Sequence, residues 1–322
     1  MSTFTVLRFN FANPGGDPGI QRDAVATALE LVRWGETRGI QAVSVDEHHA
    51  TGHGWCPNPL LAAGLFLSNT QRTIVSVDCA LGPLWNPARL AEDIAFLDMM
   101  SGGRLHVTIG LGYRPVEYEA LAADFHRRGQ NMDRLLDHLL AAWTGSAVST
   151  PRPSSRPHPP IYVGGGVRAT AERAARRGLP LSLPEHLPDI ADHYRRLCTE
   201  HGHRPVVIMP PERKRGMIFL HEDPERAWAE LGSHILWEAT TYGQWSAGDR
   251  RSYMHLPGVS SMAEVRESGR YRFLTPDELV EELRVDAGAP QPLVLHPLVG
   301  GMPPEAAWHS VELLVTKVLP HV

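Results

Sequence analysis

Hydrophobic positions along the chain switch repeatedly between a two-residue rhythm and a three-to-four-residue rhythm, the signature of strands alternating with helices. Phe4–Phe9 alternates and is rich in aromatic and β-branched residues, which predicts a strand. Gln21–Arg38 carries Val25, Leu29, Val32 and Trp34 at helical spacing and stops at Gly39, as helices often do. The same reading predicts strands over Ala42–Val45, Thr73–Leu81 and Leu105–Leu111, and helices over Asn58–Asn69, Pro87–Met100 and Asn131–Trp143. Asn86 before Pro87 is a favoured helix start, because the amide caps the first turn and proline needs no donor there. Ser146–Pro160 is rich in proline and reads as a long surface loop. The alternation resumes with Ile161–Val163, Ala169–Arg177, Leu179–Leu183 and Ile190–His201. Val206–Met209 and Gly216–Leu220 compete for the seventh strand, Pro292–Leu295 is the eighth, and Glu305–Leu319 the closing helix.

This pattern predicts an α/β fold: a (β/α)8 TIM barrel forming a single domain over 1–322, with 221–290 as an insertion before the last strand that shapes substrate access. A doubly wound sheet is the alternative, but no strand is followed by a GxGxxG turn with an acidic residue about twenty positions on. With 29 glycines and 27 prolines the chain is rich in turns, yet it has no low-complexity block or short repeat. Thirty-one basic residues against 36 acidic give a net charge of −5, so nothing supplies the basic patch that nucleic acid or an anionic membrane needs. Cys56, Cys79 and Cys198 form no disulfide framework, which points to a reducing, cytoplasmic setting. The first residues do not read as a signal peptide, and no apolar run is long enough to span a bilayer.

In a barrel the chemistry gathers at the carboxyl ends of the strands. Strand two ends in Asp46, Glu47, His48 and His49, the sharpest local feature of the chain. As a metal site it is weak, since zinc proteases use HExxH on one helix and barrel hydrolases use alternate histidines on a strand. As an acid–base site it makes sense: an imidazole carries protons near neutral pH, and a neighbouring carboxylate fixes its tautomer. No metal is expected. Gly164, Gly165 and Gly166 link strand five to a helix, so either a bare tight turn or a phosphate cradle at a helix start fits them. Gly110 and Gly112 make room for something flat, or simply pack in a narrow barrel. His296 either faces the site or holds the final loop, and Trp228 and Trp237 read as core. Cys79 reads as a small buried hydrophobe rather than a nucleophile.

Taken in order, six segments resemble the bacterial luciferase-like flavin-dependent oxidoreductases. They are Glu47–His49, Asn86–Asp93, Leu97–Arg104, Gly110–Tyr113 with Glu117 and Tyr118, Tyr162–Gly166, and Arg177–Pro180. The similarity runs over about 4–210 and again from 272. It implies a monooxygenase using reduced FMN and dioxygen on an organic small molecule, fed by a flavin reductase, and commonly a homodimer. His48 would be the catalytic acid or base, with Glu47 beside it. The flavin would lie on Asp78 and Cys79, joined in this family by a cis peptide, and near Gly112 and Tyr113. Its phosphate would meet Gly166, Val167 and Thr170, and the Gly164, Gly165 and Gly166 turn would bind the cofactor by close backbone approach. The family's phosphate arginine has no match, since Leu111 stands there, with Arg114 and Arg128 as possible replacements. Two alternatives follow from the same resemblance: hydride transfer from a deazaflavin coenzyme, and a non-catalytic flavin-binding partner subunit.

Overall fold

The computed structural model describes residues 3–145, 150–213, 215–245, 256–285 and 291–322. Strands and helices alternate as the hydrophobic rhythm predicts. Strands are β1 (Thr5–Phe9), β2 (Ala42–Val45), β3 (Ile74–Leu81), β4 (Leu105–Gly110), β5 (Ile161–Gly164), β6 (Leu181–Ser182), β7 (Val207–Ile208), β8 (Met217–Leu220), β9 (Tyr271–Leu274) and β10 (Leu293–Leu295). Helices are α1 (Pro18–Gly35), α2 (Pro59–Asn69), α3 (Pro87–Ser101), α4 (Pro115–Ala120), α5 (Arg128–Thr144), α6 (Arg168–Arg176), α7 (Pro188–Glu200), α8 (Pro224–Trp245), α9 (Met262–Glu267), α10 (Pro276–Val285) and α11 (Pro304–Leu313). Eight of these 11 helices begin with proline, which accounts for part of the proline excess. Its fixed φ suits the first helical position, where an N–H would have no partner.

The chain divides into two compact units. One comprises Met1–Ser44, Thr51–Cys56 and Arg213–Val322; the other comprises Val45–Ala50 and Pro57–Glu212. In the second unit the strand order is β7-β6-β5-β4-β3, all parallel. Val75, Val77, Val107, Ile109, Ile161, Val163 and Leu181 are buried between strands and helices. The β3–β4 register slips between Asp78 and Ala80, a bulge centred on Cys79. Bulges of this kind re-aim a strand and recur beside functional sites. The proline-rich connection is tied down by Asp98 of α3, which accepts from Ser155 N at 2.8 Å and Ser155 Oγ at 2.6 Å. Its first residues, 146–149, lie outside the described residues.

In the first unit the order is β2-β1-β10-β8-β9. Both runs that competed for the seventh strand are strands: β7 pairs with β6, and β8 lies beside β10. The region expected as an insertion holds a further strand–helix unit, β9 with α10, parallel to β8. Phe219, Trp228, Ile235, Tyr271 and Phe273 form the core there, so Trp228 is a packing residue, as expected. His296 is fully buried at the end of β10, with Nδ1 3.3 Å from the carboxylate of Glu238. Asn10, just past β1, donates to that same carboxylate at 2.9 Å.

Candidate active site

At the exit of β2, successive side chains point in opposite directions, and this sorts the Glu-His-His run into two sets of contacts. Glu47 and His49, two residues apart, bond to each other at 2.7 Å through Oε1 and Nε2. Glu47 also accepts from Leu81 N at 2.6 Å and from Trp85 Nε1 at 3.1 Å, so its carboxylate ties the end of β3 to the β2 exit. His48 turns the other way. Its Nδ1 lies 2.7 Å from Oε1 of Glu117, and its ring meets Tyr113 edge to face at 5.7 Å. The carboxylate on the His48 ring is therefore Glu117, from α4, rather than the adjacent Glu47.

Glu117 is fully buried, and His48 is only 5% exposed. Oε1 of Glu117 also accepts from His49 N at 3.1 Å and Arg114 Nη1 at 3.0 Å. Burial pushes the Glu117 carboxyl up. The hydrogen bonds from His48 and the His49 backbone, with the charge of Arg114, outweigh burial and hold it below its ordinary value. Arg114 also donates to His49 O at 2.9 Å. Through Nη1 it is thus tied to both His49 and Glu117. Arg128 donates to Phe125 O and stacks over the Phe125 ring.

The remaining candidates lie across the neighbouring strands β3, β4 and β5 and the start of α6. The Asp78–Cys79 peptide is cis. Asp78 accepts from Ser76 Oγ at 2.6 Å and Thr108 Oγ1 at 2.8 Å. Burial first, then the carboxylates of Glu47 and Asp78, push the Cys79 thiol up to about 12, so it stays neutral and is no nucleophile near pH 7. A methyl group on Gly110 would sit 2.5 Å from Cys79 Sγ, and one on Gly164 would sit 2.7 Å from Thr108 Cγ2. These close approaches require glycine. Gly112, at φ +69°, packs on Leu81 and Tyr118. Gly165, at φ +144°, backs onto the buried Thr170. Gly166 is half-buried, and the exposed Val167 precedes α6 without supplying a side-chain cap.

The sequence-predicted residues thus fall into two groups in one unit. His48, Glu47 and Tyr113 form a polar cluster, and Asp78, Cys79 and Gly164–Thr170 edge a glycine-lined surface. Glu47 joins the groups through its bond from Leu81 N at the end of β3. At Gly110, Gly164 and Gly165 the space a side chain would take is filled by Cys79, Thr108 and Thr170, so these glycines serve packing, while the uncapped start of α6 beside them suits an anionic group. Glu117 and Arg114 complete the His48 cluster. Pro115 followed by Glu117 in a first turn is the helix-start signal that marks them.

The family model described as luciferase-like monooxygenase matches residues 1–294. The oxygenase component of a flavin-dependent trigonelline monooxygenase from Acinetobacter baylyi is 24% identical over 290 residues, covering 82% of this chain and 77% of that protein. Among solved structures, the monooxygenase RslO1 from Streptomyces bottropensis superposes with a TM-score of 0.78 at 23% identity, covering 99% of both chains. The oxygenating constituent of 3,6-diketocamphane monooxygenase from Pseudomonas putida, solved with FMN, gives 0.66 at 16% identity over 100% of this chain and 99% of that one. The fold is the (β/α)8 barrel class that the strand–helix alternation predicts.

Proposed function

This chain belongs to the luciferase-like monooxygenase family, and we propose that it uses reduced FMN and dioxygen to oxidise a small, partly hydrophobic organic molecule, with His48 as the acid–base group. The observation that carries the reading is the buried His48–Glu117 pair at 2.7 Å. An anionic Glu117 keeps a proton on Nδ1 and fixes the ring plane, which makes Nε2 the atom through which His48 exchanges a proton. Arg114 and the His49 N–H hold Glu117 in turn, so the imidazole is oriented before any substrate arrives. Glu47 acts by position: it anchors His49 and the end of β3, and leaves the proton transfer to His48.

Bound flavin would supply the redox chemistry, delivering one oxygen atom of O2 to the substrate while the other leaves as water. Gly165 and Gly166 would let the backbone approach the flavin, and the neutral Cys79 beside Asp78 leaves no nucleophile to compete. The start of α6, at Gly166, Val167 and Thr170, would hold the phosphate, with the backbone donors coming from Gly166 and Val167 because the Thr170 N–H already donates to Val167 O. The trigonelline enzyme's description as an oxygenase component supports a separate reductase as the source of reduced flavin. The trigonelline enzyme's description as flavin-dependent supports a flavin over a deazaflavin.

Replacing His48 tests this reading. His48→Ala should cut turnover by about 10²–10⁴-fold while reduced-FMN affinity stays nearly unchanged. Turnover is read as flavin-dependent oxygen incorporation across a panel of ketones, aldehydes and nitrogen heterocycles. Weakened flavin binding with normal turnover of the bound fraction would remove His48 from the chemistry.

A further inference from the structure

The unit formed around β8 carries a second cluster of ionisable side chains. β8 ends at Leu220, and the chain leaves it through His221 and Glu222. His309, on α11, meets them there. Glu222 Oε2 and His309 Nε2 are 2.7 Å apart, and the rings of His221 and His309 meet edge to face at 5.4 Å. One donor atom from each of the three residues lies within 4.8 Å of the other two. The two segments are pinned next to this cluster, because Leu220 N donates to Ser310 Oγ at 2.9 Å. Beside the donors opens a cavity of about 370 Å³, with Phe219, Leu231, Phe273 and Met302 on its apolar side and Arg226 among its polar residues. Arg226 is bound to Glu230 at 2.8 Å, so its charge is balanced where it lines the cavity.

We propose that His221, Glu222 and His309 form a binding site for a divalent transition-metal ion of the zinc type, with one coordination position left open beside the cavity. Two imidazoles and a carboxylate are borderline donors, which suit zinc, copper or nickel better than calcium or magnesium. Three protein donors leave a fourth tetrahedral position for water or a small anion, the arrangement of an open rather than a closed zinc site.

The geometry is within reach of this coordination. Zinc bonds of about 2.0–2.2 Å set donors roughly 3.3 Å apart around a tetrahedron. The Glu222–His309 contact must open by about half an ångström from 2.7 Å, and His221 must swing inward. Glu222 and His309 are 60% and 42% exposed at the side chain, so opening their contact does not disturb packed core. Two hydrogen bonds are exchanged for metal bonds: Glu222 with His309, and Asp223 N with His221 Nδ1. Each imidazole then binds the ion through one nitrogen and keeps its proton on the other. An exposed histidine–glutamate pair alone needs no ion to explain it. The second imidazole and the adjoining cavity point beyond such a pair.

The test uses the full chain, stripped with a chelator and dialysed against buffered zinc chloride, with metal counted per chain. Wild type should bind one zinc ion at this site, and its thermal midpoint should rise with zinc. Loss of an outer partner alone weakens a metal site about 10–100-fold, so His309→Ala and Glu222→Gln should each weaken binding by at least about tenfold. Both positions are exposed, so circular dichroism should be unchanged. With cobalt in place of zinc, wild type should show the visible bands of a four-coordinate nitrogen and oxygen site, and His221→Ala should lose them. Zinc binding equal in wild type and His309→Ala would overturn the assignment, as would no binding by wild type.

Discussion

Glu117→Gln removes one charge from the most constrained part of the active site and keeps its shape. In the wild type, Oε1 accepts from His48 Nδ1 at 2.7 Å, His49 N at 3.1 Å and Arg114 Nη1 at 3.0 Å, all without solvent around the carboxylate. A hydrogen bond to a charged acceptor contributes about 1.5–3 kcal/mol, against about 0.5–1.5 kcal/mol for a neutral one. Losing roughly 1 kcal/mol at each of three bonds gives about 3 kcal/mol, or about 2 if the bonds reinforce one another. The buried Arg114 also loses its counter-charge, which acts in the same direction. Urea unfolding at pH 7 should therefore show Glu117→Gln less stable than wild type by about 2–3 kcal/mol. Because the Glu117 carboxyl lies below its ordinary value of 4.5 in the folded protein, its contribution is present above pH 4.5 and is lost as pH falls through the folded value. The gap between variant and wild type should thus narrow in acid. A variant as stable as wild type at pH 7, or a gap that stays constant down to acid unfolding, would refute the reasoning.

Other outcomes follow from the same contacts. Gly166→Asp places a carboxylate at the proposed phosphate position and should weaken FMN far more than riboflavin, measured by fluorescence titration; equal losses would count against phosphate at α6. Gly110→Ala drives a methyl to within 2.5 Å of Cys79 Sγ and should cost about 1–3 kcal/mol in urea, with flavin affinity lost as well. Glu238 is buried beside His296; burial pushes its carboxyl up, but the charges of His296 and Arg8 and the Asn10 hydrogen bond hold it down. Glu238→Ala should cost about 3–5 kcal/mol, because it strands His296 in the core, and an unchanged urea midpoint would argue that the pair contributes nothing.

The strand–helix alternation was legible because each rhythm persisted long enough to be counted, as in α1 and β3. Glu117 was harder to see as a partner. It lies on α4, only six residues long, where no hydrophobic period can establish itself, and just Pro115 with an early acidic residue signals a helix start. Strand geometry makes Glu117, and not the adjacent Glu47, the partner of His48. Nearest neighbours in a strand exit face opposite ways, so adjacency in sequence separated Glu47 from His48 and paired it with His49. The β9–α10 unit reads as part of an insertion because 221–289 is too long for one strand–helix unit, and a four-residue β9 is too short for its own rhythm to stand out. His309 and Glu222 are 87 positions apart, and only folding brings them together.

The most direct test of the central claim is an anaerobic titration of the flavin-free protein with reduced FMN, and separately with reduced deazaflavin coenzyme, followed by admission of air. The account predicts tight, saturable binding of reduced FMN, weak binding of the deazaflavin, and oxygen consumption from the FMN complex that His48→Ala alters. Preferential binding of the deazaflavin, with an oxygen-insensitive complex, would contradict it and assign the chain to hydride transfer. Binding of neither would contradict it in favour of a non-catalytic subunit.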